Sequence, residues 1–201
     1  MSIFNTGDQN GSVRQHQWTG FHFLYLLGMM FVVAAILTAA MILQYAYGEL
    51  PCPLCLLQRL AMLGVCFGVM LQFRYGLTFQ HAGVTLFFAI FLMIVSVRQT
   101  LLDIYVRPGH EYIGSAVFGL HMPVWSVLIG LALILATSLQ MMLWGGINYR
   151  SNAKIKAFPL LKIAAIVLSS YVLLIAVVNT VSVLLQCGAG QCHTMGYALL
   201  K

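Results

Sequence analysis

The sequence predicts an all-α integral membrane protein, and three observations carry that expectation. Of its 201 residues, 61% are hydrophobic and only 7% are charged, against roughly a quarter charged in a soluble domain. The apolar residues fall into five runs, each long enough for a helix to cross a hydrocarbon core about 30 Å thick. Polar stretches between the runs hold most of the ten Lys and Arg and the four Asp and Glu. A soluble globule could not cover its surface with so few charges, whereas lipid accepts an apolar exterior. The net charge of +6 does not point to nucleic acid, because the basic residues are dispersed and form no aromatic-interleaved patch. It reads as a topology signal.

Residues 1–20 are polar, without apolar periodicity, and are expected to be a flexible N-terminal tail. The first spanning helix is expected over Phe21 to Ala46. Its apolar run to Leu43 exceeds the h-region of about 7–15 residues in a signal peptide, so it is expected to stay as an anchor. A second helix is expected from about Cys55 to Phe73, with Gly64-x-x-x-Gly68 permitting close helix contact. A third follows from His81 through Val97, ending where polarity returns at Arg98, Gln99 and Asp103. Within the loop from Arg98 to Met122, the stretch Ile113–Leu120 is too short to span and is expected to be a short interfacial helix. The fourth helix begins at Pro123, a residue tolerated in a first turn, and ends at Trp144 before Gly145-Gly146. After a basic loop with Arg150, Lys154 and Lys156, the fifth runs from Pro159 to about Gln186. No repeat and no soluble domain is evident. The expected organisation is a tail (1–20), a four-helix unit (21–146), then a basic loop, a fifth helix and a cysteine-containing tail (147–201).

Charge fixes the orientation. Arg14, Arg74, Arg150, Lys154, Lys156 and Lys162 fall on one side, and Arg59, Arg98, Arg107 and Lys201 on the other. The positive-inside rule makes the first side, with the N-terminus, cytoplasmic. Glu49, Asp103 and Glu111 join the opposite side, and five crossings send the C-terminus there too.

The segment Pro51-Cys52-Pro53-Leu54-Cys55-Leu56-Leu57-Gln58-Arg59 places two thiols at the mouth of an apolar helix. Thiolates are favoured near helix N-termini and cations, and Arg59 lies one turn beyond Cys55 on the same face. A redox dithiol is the first reading; a metal half-site and an incidental packing pair are the alternatives. The topology favours the first, because Cys52, Cys55, Cys187 and Cys192 all emerge on one non-cytoplasmic face. Two dithiols facing an oxidising compartment can exchange disulfides. For Cys187 and Cys192 the plainer reading is a structural loop closure across Gly-Ala-Gly. Cys66, between Gly64 and Gly68, reads as a packing residue. His110 and His121 read as loop or interface histidines, and the eleven methionines as lipid-facing or core fillers.

The segment from Pro51 to Arg59 opening the second helix, Arg98 after the third, and Gly119-Leu-His-Met-Pro123-Val-Trp125 opening the fourth resemble the DsbB family. These bacterial inner-membrane enzymes reoxidise a periplasmic thioredoxin-fold (DsbA-like) disulfide donor at the expense of quinone. The resemblance covers roughly residues 20–145. It implies a four-helix bundle of DsbB type, with the fifth helix added, and a bound ubiquinone or menaquinone beside Cys55. It gives Arg59 the role of stabilising the thiolate and the reduced quinone; Arg98 reads as a quinone-site or loop-anchoring residue, or as an ordinary helix-end arginine. One departure is plain: the family carries its second cysteine pair between helices three and four, where this chain has none. The expectation is that Cys187 and Cys192 substitute for it, receiving electrons from the partner and passing them to Cys52 and Cys55.

Two further functions fit the residues. Cys187, Cys192, His193 and Met195 are soft ligands suited to copper, with or without Cys52 and Cys55. A degenerate member could also serve only as a partner's scaffold.

Overall fold

In the computed structural model, residues 6–48, 51–104, 116–117, 119–146 and 153–188 are described. The helices are α1 (Thr6–Ala46), α2 (Pro53–Tyr75), α3 (Phe79–Ile104), α4 (Met122–Trp144) and α5 (Pro159–Cys187), with a short 3-10 turn at Ile155–Ala157. All five are long and apolar enough to cross a membrane, so the chain is an all-α, multi-pass membrane protein. Phe21, Leu24, Phe31 and Val32 of α1 are exposed, as are Ile166, Val167, Leu173 and Leu174 of α5, and lipid is the solvent that tolerates them.

The first helix departs from expectation by starting at Thr6, within the segment read as a flexible tail. A tertiary partner explains the extension from Arg14 onward. Phe158, just before α5, packs its ring 4.4 Å from that of His16, and a Cβ at Gly20 would lie only 3.0 Å from Phe158 Cε1. Thr19 is buried there and donates to Gln15 O at 2.9 Å. His22 is fully buried and stacks on Trp144 at 5.1 Å.

Helices α2, α3 and α4 form the most closely packed layer. A Cβ at Gly68 would fall 2.6 Å from Thr85 N, and one at Gly64 would run into the Phe88 ring. The Gly64-x-x-x-Gly68 pattern therefore lets the α2 and α3 backbones meet. Gly130 of α4 approaches Met93 of α3 in the same manner. Polar bonds cross these contacts: Gln140 Nε2 donates to Gln72 Oε1 at 2.8 Å, and Gln72 Nε2 to Thr85 Oγ1 at 3.3 Å. Each such bond between helices in lipid contributes about 0.6 kcal/mol. The Tyr25 hydroxyl donates to Ala136 O at 3.0 Å, tying α1 to α4.

Helix α5 makes its main helix contacts with α1 and α2. Its approach is anchored where Leu77 N donates to Ala153 O at 3.0 Å and Ile155 is buried. Lys154, Lys156 and Lys162 stay exposed around it, and Arg150 lies outside the described residues.

Two other expectations are corrected. Helix α3 continues to Ile104, past the predicted end at Val97, because Gln99 finds buried partners inside the bundle. Instead of an interfacial helix, Ala116–Val117 and Leu120–His121 form a two-residue antiparallel ladder. Gly119 turns it with φ at 78°, a conformation open to glycine and awkward for other residues. Residues 113–115 and 118 of that stretch, with His110 and Glu111, lie outside the described residues.

Candidate redox site

Cys52 and Cys55 form a disulfide, with Cα atoms 5.0 Å apart. Local sequence explains the placement. Pro53 fits the first helical turn because it lacks the N–H that such a position leaves unsatisfied. Cys52 becomes the N-cap, and its sulfur accepts the Cys55 backbone N–H at 3.1 Å. Helix α2 thus starts two residues earlier than the apolar run suggested, and the bridge caps it. Cys52 is buried and Cys55 is partly exposed.

A chain of amides and a hydroxyl reaches the bridge from inside the bundle. Gln99 Nε2 lies 3.5 Å from Cys52 Sγ and 3.4 Å from Cys55 Sγ. Gln58 Nε2 donates to Gln99 Oε1 at 2.9 Å, and Ser126 Oγ donates to Gln58 Oε1 at 3.0 Å. Helices α2, α3 and α4 each supply one of these three buried side chains.

Arg59 points to α1. Its guanidinium donates to Ala40 O at 2.9 Å, contacts Met41 Sδ at 3.4 Å, and bonds Gln44 Oε1. Gln44 Nε2 in turn donates to Ser182 Oγ of α5 at 2.9 Å, and the Tyr45 hydroxyl meets the same oxygen at 2.6 Å. The arginine is buried, and its network runs through α1 into the fifth helix.

The end of α5 arrives beside the bridge. Gln186 Nε2 donates to Pro51 O at 2.9 Å. The next residue, Cys187, is buried and held in a disulfide whose other half lies outside the described residues. Cys192, His193 and Met195 also lie outside them. Arg98 is exposed and joins none of these hydrogen bonds, while its neighbour Gln99 is buried against the sulfurs. Cys66 is a buried free thiol in the α2 core. Among the described residues, no three His, Cys, Asp or Glu side chains gather as a metal site.

Sequence reasoning passed over Gln99, Ser126, Gln44, Ser182 and Gln186, and quoted Gln58 only as part of a motif. A signal was available. A glutamine in a spanning helix is costly unless another polar group satisfies it, so several near one end of the bundle mark a shared network.

Residues 22–111 match the family model described as "Disulfide bond formation protein DsbB". The match takes in the disulfide, Arg59 and Gln99, and stops before α4 and α5. The Disulfide bond formation protein B of Pseudomonas syringae pv. tomato (strain ATCC BAA-871 / DC3000) is 41% identical over 68 residues, covering 32% of this chain and 39% of that protein. The chain therefore aligns with about two fifths of that relative's length. No solved structure matches the chain. Residues 22–111, which hold the capped disulfide and its amide partners, are thus the part of this chain that is similar to the DsbB family.

Proposed function

We propose that the protein is a membrane thiol:quinone oxidoreductase that generates disulfides and reoxidises a periplasmic DsbA-like partner, from a bacterial inner membrane with its basic end in the cytoplasm. The observation that carries this reading is the Cys52–Cys55 bridge at the N-cap of a spanning helix, with a second disulfide cysteine, Cys187, brought to it by the Gln186–Pro51 bond.

The thiol steps balance as exchanges. A thiolate of the reduced partner attacks the disulfide of Cys187, proposed to be shared with Cys192, and one sulfur of that pair leaves with the bond's electrons. The partner's second thiol resolves the mixed disulfide, so the partner is oxidised and the Cys187 pair reduced. The reduced pair then attacks the Cys52–Cys55 bridge in the same way, becoming a disulfide again as Cys52 and Cys55 take up two electrons. The Gln186–Pro51 bond supports this order of exchange, because it fastens the residue before Cys187 to the residue before Cys52.

The residues present suit a quinone. Ser96 Oγ is fully buried and, among the described residues, has no hydrogen-bond partner, one turn from Gln99. Gln99 and Arg59 add N–H donors of the type that carbonyl oxygens accept. Arg59, with Arg98 at the helix end, would hold the ring, and the quinone supplies an acceptor for two electrons and two protons.

The test is quinone reduction by purified protein in the presence of a reduced thioredoxin-fold partner. Wild type should turn over, and Cys52→Ala and Cys55→Ala should each fall to background. Normal function in Cys55→Ala would favour a scaffold and end the enzymatic reading.

A further inference from the structure

Resting on the reading of Cys52–Cys55 as the redox centre, we infer that Gln99 is a catalytic residue of the thiol chemistry. Its amide stabilises the thiolate released when the bridge opens, and Gln58 and Ser126 are the positioning residues that aim it.

The direction of the hydrogen bonds carries this assignment. Gln58 Nε2 donates to Gln99 Oε1 at 2.9 Å, which leaves the Gln99 nitrogen turned to the sulfurs at 3.4 and 3.5 Å. Gln58 is oriented in turn by the Ser126 hydroxyl, donating to its Oε1 at 3.0 Å. Every donor in the series points toward the bridge, so each bond polarises the next in the sense that favours negative charge at sulfur. All three side chains are nine-tenths or more buried, so water competes poorly for the amide.

An N–H bond to a neutral disulfide is weak, whereas one to a thiolate is charge-assisted. Gln99 therefore favours the reduced pair and the path to it over the resting bridge. In that path an attacking thiolate bonds one sulfur, the Cys52–Cys55 bond breaks, and its electron pair stays on the other sulfur. When the donor's second thiol completes the exchange, the donor is a disulfide and the pair holds one thiol and one thiolate. Of the donor's two protons, one sits on that thiol and the other passes to solvent. Gln99 reaches both sulfurs, so it faces the charge whichever one leaves. The exposed Arg98, its neighbour on the same helix, has no such contact.

The experiment equilibrates purified full-length protein with graded dithiothreitol. Mass spectrometry of the alkylated peptide that contains Cys52 and Cys55 then reads the reduced fraction. Gln99→Met keeps the volume and removes the donors; it should move the equilibrium toward the disulfide by about tenfold. Alkylation of the reduced pair at pH 7 should slow to a similar degree. Gln99→Glu, which presents a carboxylate, should shift both further. Gln58→Met and Ser126→Ala leave the Gln99 amide in place and should shift each by about two- to fourfold. Values for Gln99→Met within twofold of wild type would overturn the catalytic role. If that variant does not insert, unchanged values in both Gln58→Met and Ser126→Ala would overturn the array. Dithiothreitol replaces both partner and quinone, so a wild type that fails to reduce quinone would count against the proposed function and not against this inference.

Discussion

Gln186 donates from Nε2 to the Pro51 carbonyl at 2.9 Å, so the last turn of the fifth helix is fastened to the residue that introduces the disulfide loop. Both groups are buried, and loss of the donor leaves a carbonyl unsatisfied. Gln186→Leu should lower stability by about 1 kcal/mol, read as a drop in Tm of the detergent-solubilised protein. It should also slow electron delivery from the protein partner more than delivery from dithiothreitol, because only the former is proposed to pass through Cys187.

The fate of the terminal cysteines separates a relay from a structural loop. In a Cys187→Ser, Cys192→Ser double variant, turnover driven by the reduced partner should be lost while quinone reduction by small dithiols persists. Unchanged partner-driven turnover would mean that the partner meets Cys52 and Cys55 directly.

Arg59 makes directional bonds to the Ala40 carbonyl and Gln44, which an ammonium group cannot reproduce with one planar fork. Arg59→Ala should raise the quinone KM about tenfold with membrane insertion intact by fractionation. Arg59→Lys should recover only part of that loss. An unaltered KM in both variants would remove Arg59 from the proposed quinone site.

Gly68 is where α2 and α3 touch backbone to backbone, since a Cβ would lie 2.6 Å from Thr85 N. Gly68→Leu should destabilise the bundle by at least about 1–3 kcal/mol, measured by thermal unfolding. An equal substitution at Gly83, where nothing lies within 4 Å of an added Cβ, should be tolerated.

The membrane class, the five spanning helices and the place of Cys52 and Cys55 at the mouth of the second were legible because they depend on apolar run length, proline position and spacing, which are local properties. Helix α3 was cut short for the same reason: Arg98, Gln99 and Asp103 look like a boundary until Gln58 of another helix is seen to satisfy Gln99. The extension of α1 was hidden in a similar way, since Phe158, far along the chain, supplies its packing surface. At the site, Cys52, Cys55 and Arg59 could be picked from a motif. The amide series could not, because no spacing rule joins Gln58, Gln99 and Ser126 before three helices are packed.

The fifth helix is pinned to α2 at both ends. Leu77, just past the C-terminus of α2, holds Ala153, and Pro51, just before its N-terminus, holds Gln186. The pair therefore acts as a splint of fixed length running from one membrane face to the other. Neither helix can slide along the membrane normal without the other. The depth of the Cys52–Cys55 bridge is consequently set against the basic end of the protein, and a thinner or thicker bilayer must be met by tilting the pair or deforming the lipid.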